Sequence, residues 1–103
     1  MAWTTRDGES VVTLTGEHDL ATRDMVEITL RAAAAGSSQV VVDLAACTFI
    51  DCSVIGVINE TAATTRVVVY APEETPGTVR LLLELVDTQT SVVHPWYEIH
   101  EGR

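Results

Sequence analysis

The sequence predicts a small α/β fold built on a mixed or parallel sheet, and three observations carry that expectation. β-Branched runs recur at residues 10–15, 39–44 and 66–70. A helical period fills the stretch between the first two. The resulting strand–helix–strand order favours a crossover connection and parallel pairing.

Taken in order, residues 2–6 form a short strand turning at Asp7-Gly8, a common hairpin dipeptide. Residues 10–15 read as the next strand, bounded by Gly8 and Gly16. From 21 to 35 the pattern changes. Met25, Ile28, Ala32 and Ala35 recur at helical spacing, while Arg23, Asp24, Glu27 and Arg31 take other faces, which predicts an amphipathic helix. Gly36 is placed to cap its C-terminus. Residues 39–44 are almost continuously apolar, as in a strand covered on both faces.

Residues 53–65 are ambiguous on pattern alone. Their β-branched content argues for strand. Their period argues for helix, since Val54, Val57, Ile58, Thr61 and Ala62 share one side. Asp51 supports helix, because its carboxylate can accept from the first-turn amides. Residues 66–70 form a strand ended by Ala71-Pro72, and the Leu-rich residues 78–86 form a helix with Pro76 at its entry. Residues 91–93 suggest a last short strand, and 95–103 a helical turn or tail.

Composition bounds the function. The 103 residues are 47% hydrophobic, which argues against disorder and for a single domain over residues 1–103. The formal net charge is −9, and the six basic residues, all Arg, are scattered. Such a chain has no means of neutralising a row of phosphates, so no nucleic acid and no anionic membrane is expected as partner. A protein partner with a basic face is expected instead. There is no apolar run near the ~18 residues of a membrane span, and no signal-peptide core at residues 1–6. A cytoplasmic location is therefore expected. Cys47 and Cys52 form no Cys-x-x-Cys motif, and the three histidines are scattered, so neither metal nor cofactor is expected.

Three stretches, in this order, resemble the STAS family, which includes bacterial anti-sigma factor antagonists. Val12-Thr13-Leu14-Thr15-Gly16-Glu17-His18-Asp19 resembles the family's strand followed by Gly-Glu-x-Asp. Val40-Val41-Val42-Asp43-Leu44 resembles its strand ending in Asp-Leu. Phe49-Ile50-Asp51-Cys52-Ser53-Val54-Ile55-Gly56 resembles the Phe-Ile-Asp-Ser-Ser-Gly-Leu-Gly that enters its second helix. Downstream, residues 79–85 resemble the third helix and residues 92–95 the final strand and exit.

The resemblance implies a mixed sheet of four or five strands with helices packed mainly on one face, and a helix from Ser53 onward. It implies a protein-binding regulator, not an enzyme. Such antagonists bind an anti-sigma factor, often a histidine-kinase-like serine kinase, and so release the sigma factor. The kinase phosphorylates a hydroxyl at the start of the second helix, and a phosphatase resets the switch. A phosphate suits a helix N-terminus, with its free amides and partial positive charge. It also adds close to two negative charges to a docking surface. On this basis Glu17, His18, Asp19, Asp51, Cys52, Ser53, Val54 and Ile55 are the candidate partner-binding residues. Assembly into a homo-oligomer is left open.

The chain departs from the family pattern where the switch should be. The family's phosphoacceptor position holds Cys52, leaving the neighbouring Ser53 as phosphoacceptor candidate, and Val54 replaces a glycine. Successive helical residues diverge by about 100°, so Ser53 points elsewhere. The alternative is a STAS-like scaffold, or a sensor in which Cys52, with Cys47 nearby in sequence, responds to oxidants. The more ordinary reading is that Cys52 is an inert replacement for serine and Cys47 a small core residue. A triad of Ser53, His18 and an Asp lacks any nucleophile-elbow pattern. Glu17, His18 and Asp19 read as a polar loop.

Overall fold

The computed structural model describes residues 1–72, 74–83 and 91–93. Among the described residues the elements follow in the order β1 (Ala2–Arg6), β2 (Glu9–Thr13), β3 (Gly16–His18), α1 (Arg23–Ala35), β4 (Gln39–Asp43), β5 (Cys47–Ile50), α2 (Cys52–Ala62), β6 (Arg66–Tyr70), α3 (Gly77–Leu82) and β7 (Ser91–Val93). The main sheet has five strands in the order β1-β2-β4-β6-β7. β1 is antiparallel to β2, and the remaining pairs are parallel. This is the mixed α/β sheet the sequence predicts. The β1–β2 turn is made by Asp7 and Gly8, both with positive φ (53° and 77°), as a two-residue hairpin turn requires.

Alternation along each strand sets the two faces. Val12, Val40, Val42, Val67 and Val69 join one buried cluster with Val26, Leu30 and Ala33 of α1 and Val54, Val57 and Ile58 of α2. The Ser10 hydroxyl reaches the Ala33 carbonyl at 3.4 Å, which places α1 over β2. Val41 and Val68 point to the opposite face and are also buried. The near-continuous apolar reading of residues 39–44 therefore has its reason in the fold.

The helix expected over residues 53–65 is α2, which runs Cys52–Ala62, and every residue of its predicted stripe is buried: Val54, Val57, Ile58, Thr61 and Ala62. Burial outweighs β-propensity here. The Thr61 hydroxyl satisfies itself within the helix by donating to the Val57 carbonyl at 2.9 Å.

α1 is a helix as expected, beginning at Arg23 rather than 21, but it turns a different side inward. Its buried residues are Val26, Leu30 and Ala33. The predicted apolar stripe faces solvent, with Met25 59% and Ile28 64% exposed and Ala32 and Ala35 exposed beside them. The helix is apolar on two sides, and the period alone could not say which side packs. Gly36 ends the helix with φ −107°, not in the left-handed conformation expected of a glycine cap.

Two short strands were not legible. β3 and β5 pair in parallel as a separate ribbon, Glu17 opposite Phe49 and His18 opposite Ile50. Residues 17–19 had the polarity of a loop, and β5 has only four residues. α3 covers the start of the helix expected over 78–86, whose later part lies outside the described residues, as do residues 95–103.

Candidate functional site at the start of helix α2

The β3–β5 ribbon delivers two chain segments to one place: the turn before α1 and the first turn of α2. Asp51 has extended backbone (φ −114°, ψ 178°) and caps α2. Its Oδ1 accepts from the Ser53 amide at 3.0 Å, the Val54 amide at 3.2 Å and the Ser53 hydroxyl at 2.6 Å. These bonds hold the Asp51 carboxyl below its ordinary range, the Ser53 hydroxyl contributing most. The Asp51 amide donates to the His18 carbonyl at 3.2 Å, tying α2 to the end of β3.

The turn over residues 19–22 is closed by its own polar groups. Asp19 Oδ1 accepts from the Ala21 amide at 2.9 Å, and the Thr22 amide donates to the Asp19 carbonyl at 3.0 Å. The Thr22 hydroxyl accepts from the Asp19 amide at 3.2 Å and lies 3.2 Å from His18 Nδ1. It is therefore spent on the turn, and Thr22 makes no side-chain cap for α1. This hydrogen-bonded turn leaves Leu20 in solvent, 72% exposed. Asp19, Leu20, Ala21, Phe49 and Asp51 line a shallow, open concavity of about 580 Å³. Phe49, from β5, is 41% exposed.

The candidate residues separate into presented and buried groups. Glu17 and Cys52 are exposed, and Asp19, Asp51 and Ser53 are half-buried. His18, Val54 and Ile55 are buried, so these three shape the surface from below rather than touch a partner. His18 Nε2 sits 3.1 Å from the Thr15 carbonyl, which can only accept, so that nitrogen carries a proton. With Nδ1 beside Thr22, neither ring nitrogen faces the Ser53 hydroxyl, whose proton goes to Asp51. The Ser53–His18 pair that a hydrolase triad would need is therefore not formed. Among the described residues no group of three or more His, Cys, Asp and Glu could hold a metal ion. No described helix is long and apolar enough to cross a membrane.

Leu20 is the functional candidate that sequence reasoning missed, and Phe49 was noticed only as part of a motif. The available signal was a large apolar residue in a turn otherwise made of Asp, Ala and Thr. Both thiols are free. Cys47 is buried, burial pushes its pKa up, and its thiol points to the Phe49 carbonyl at 3.3 Å. Cys52 stands exposed on the first residue of α2.

The fold and site together define a small α/β domain with a capped helix start flanked by two exposed apolar side chains. Residues 1–87 match the family described as Mlab, STAS domain, and the chain belongs to the STAS domain family. An anti-sigma factor antagonist from Mycobacterium paratuberculosis has a similar structure, with TM-score 0.81 and 24% identity, over 98% of this chain and 90% of that one. The unphosphorylated anti-sigma factor antagonist SpoIIAA is also similar, with TM-score 0.69 and 15% identity, over 99% and 96%. So is the phosphorylated form of the Bacillus cell fate determinant SpoIIAA, with TM-score 0.68 and 15% identity, over 99% and 100%. At these identities the likeness is one of fold. No curated protein matches the chain.

Proposed function

We propose that this chain is an anti-sigma factor antagonist, a cytoplasmic, non-catalytic protein that controls transcription by binding an anti-sigma factor. The observation that carries the reading is the surface at the start of α2. Leu20 and Phe49 are exposed large apolar groups set beside the Asp19 and Asp51 carboxylates. Exposed apolar groups rimmed by charge are a common form of docking surface. With a net charge of −9, the chain favours a partner whose face is basic around an apolar centre. Fold similarity to solved antagonists points the same way. Glu17 and Cys52 extend the surface. The test is a titration of the source organism's purified anti-sigma factors with wild type, Leu20→Asp and Phe49→Ser. A tenfold or greater loss of affinity in each variant, at unchanged melting temperature, is expected. Equal affinities would remove this surface from the interface.

A second reading, of an antagonist or scaffold without phosphorylation control, rests on a specific observation. The family's acceptor position carries the thiol of Cys52, and the hydroxyl of the next residue, Ser53, is held by Asp51 at 2.6 Å. A phosphate on Ser53 would have to displace that bond and lie against the capping carboxylate. Incubation with a cognate kinase and ATP should therefore leave wild type unmodified, while Cys52→Ser accepts phosphate. Phosphorylation of wild type that Ser53→Ala abolishes would restore the switch to Ser53.

A further inference from the structure

We infer that the outer face of α1 is a self-association surface, on which a second copy of this chain packs with its own α1 running antiparallel. The face consists of Met25, Ile28, Ala32 and Ala35, all exposed, with half-buried Thr29 on its flank. It carries no charge, although α1 is only 13 residues long and holds four ionisable side chains. Those four, Arg23, Asp24, Glu27 and Arg31, gather to one side, where Glu27 pairs with Arg23 at 3.2 Å and with Arg31 at 2.9 Å.

Two features select a second copy as the occupant. The first is shape. The N-terminal half of the face carries the large Met25 and Ile28, and the C-terminal half the small Ala32 and Ala35. An antiparallel two-fold lays the large half of one helix on the small half of the other, so one patch supplies both bump and ledge, as an isologous contact needs. The second is charge. The chain as a whole is at −9, so two copies repel over most of their surface. α1 has two Arg, one Asp and one Glu, and is neutral. It is a place where two such acidic molecules can meet without bringing net like charge together. A strongly basic partner would gain little from this face and much from the rest of the molecule.

One helix pair is a small interface, so the dimer is weak and concentration-dependent. Salt screens the repulsion between the two bodies over about 8 Å at physiological strength and leaves the apolar contact intact. Self-association therefore rises with salt. The test is sedimentation equilibrium of the full chain from micromolar to about millimolar concentration, at low and high salt, for wild type, Ile28→Arg and Ala32→Arg. Both sites are exposed, and thermal unfolding confirms that each variant is folded. A wild-type dimer that strengthens with salt, and that either variant abolishes, is the expected result. A monomer at every concentration, or a dimer that both variants leave intact, overturns the proposal. So does a monomeric wild type whose Ile28→Arg variant loses affinity for an anti-sigma factor, which would assign the face to that partner.

Discussion

The two long helices of this domain are both rich in apolar residues, yet they use them differently. α2 buries six of its eleven residues: Val54, Ile55, Val57, Ile58, Thr61 and Ala62. α1 buries three of thirteen, and its Met25 and Ile28 stand in solvent. Their N-termini differ too. Asp51 caps α2 by accepting from the Ser53 and Val54 amides, whereas Thr22 spends its hydroxyl on the preceding turn and leaves α1 without a side-chain cap. In α2 the apolar residues are accounted for by the core and the cap fixes the site. In α1 half of the apolar residues lie outside the core cluster of the described residues.

This contrast can be broken at several points. The largest effect is expected at Ile58, fully buried in α2. Ile58→Ala removes a core side chain and should cost about 2–5 kcal/mol. Chemical denaturation measures it directly, and a loss under 1 kcal/mol would mean that α2 is not the centre of the core.

Asp51→Ala comes next, with an expected cost of about 1 kcal/mol from the lost cap. Its pH dependence has a definite sign. The Asp51 carboxyl sits below its ordinary value of 3.8 in the folded protein, so its contribution is complete above that value. It disappears as pH falls through the lowered one. Wild type and Asp51→Ala should therefore differ in melting temperature at neutral pH and converge in strong acid. A gap that persists unchanged at low pH would show that the charged carboxylate is not what caps the helix.

The smallest effect on stability is expected at Ile28 on the outer face of α1. Ile28→Arg should stay within about 0.5 kcal/mol of wild type. A large loss would mean that this residue packs inside the domain after all.

The comparison also explains what could be read in advance. The strands at 39–44 and 66–70 were legible because β-branched runs bounded by turn residues leave few alternatives. The hairpin turn at Asp7-Gly8 was legible because few dipeptides accept two positive φ angles. Asp51 could be identified as a cap because capping chemistry is local. The inner face of α1 was not legible. Helical period reports that a side is apolar, and α1 has two such sides, so tertiary contact with β2 and β4 makes the choice. β3 and β5 escaped because strands of three and four residues carry too little alternation. Within the candidate site, Asp19, Asp51 and Cys52 stood out by residue type, but the exposure of Leu20 and Phe49 depends on how the 19–22 turn and β5 are brought together. The burial of His18, Val54 and Ile55 was hidden for the same reason.

The most direct test of the account is a quantitative capture experiment with immobilised wild-type protein and a Leu20→Asp, Phe49→Ser double variant. Both are exposed to lysate of the source organism, and the retained proteins are measured by mass spectrometry. An anti-sigma factor should be enriched on wild type and fall at least tenfold on the variant. An anti-sigma factor retained equally by both, or by neither, would contradict it.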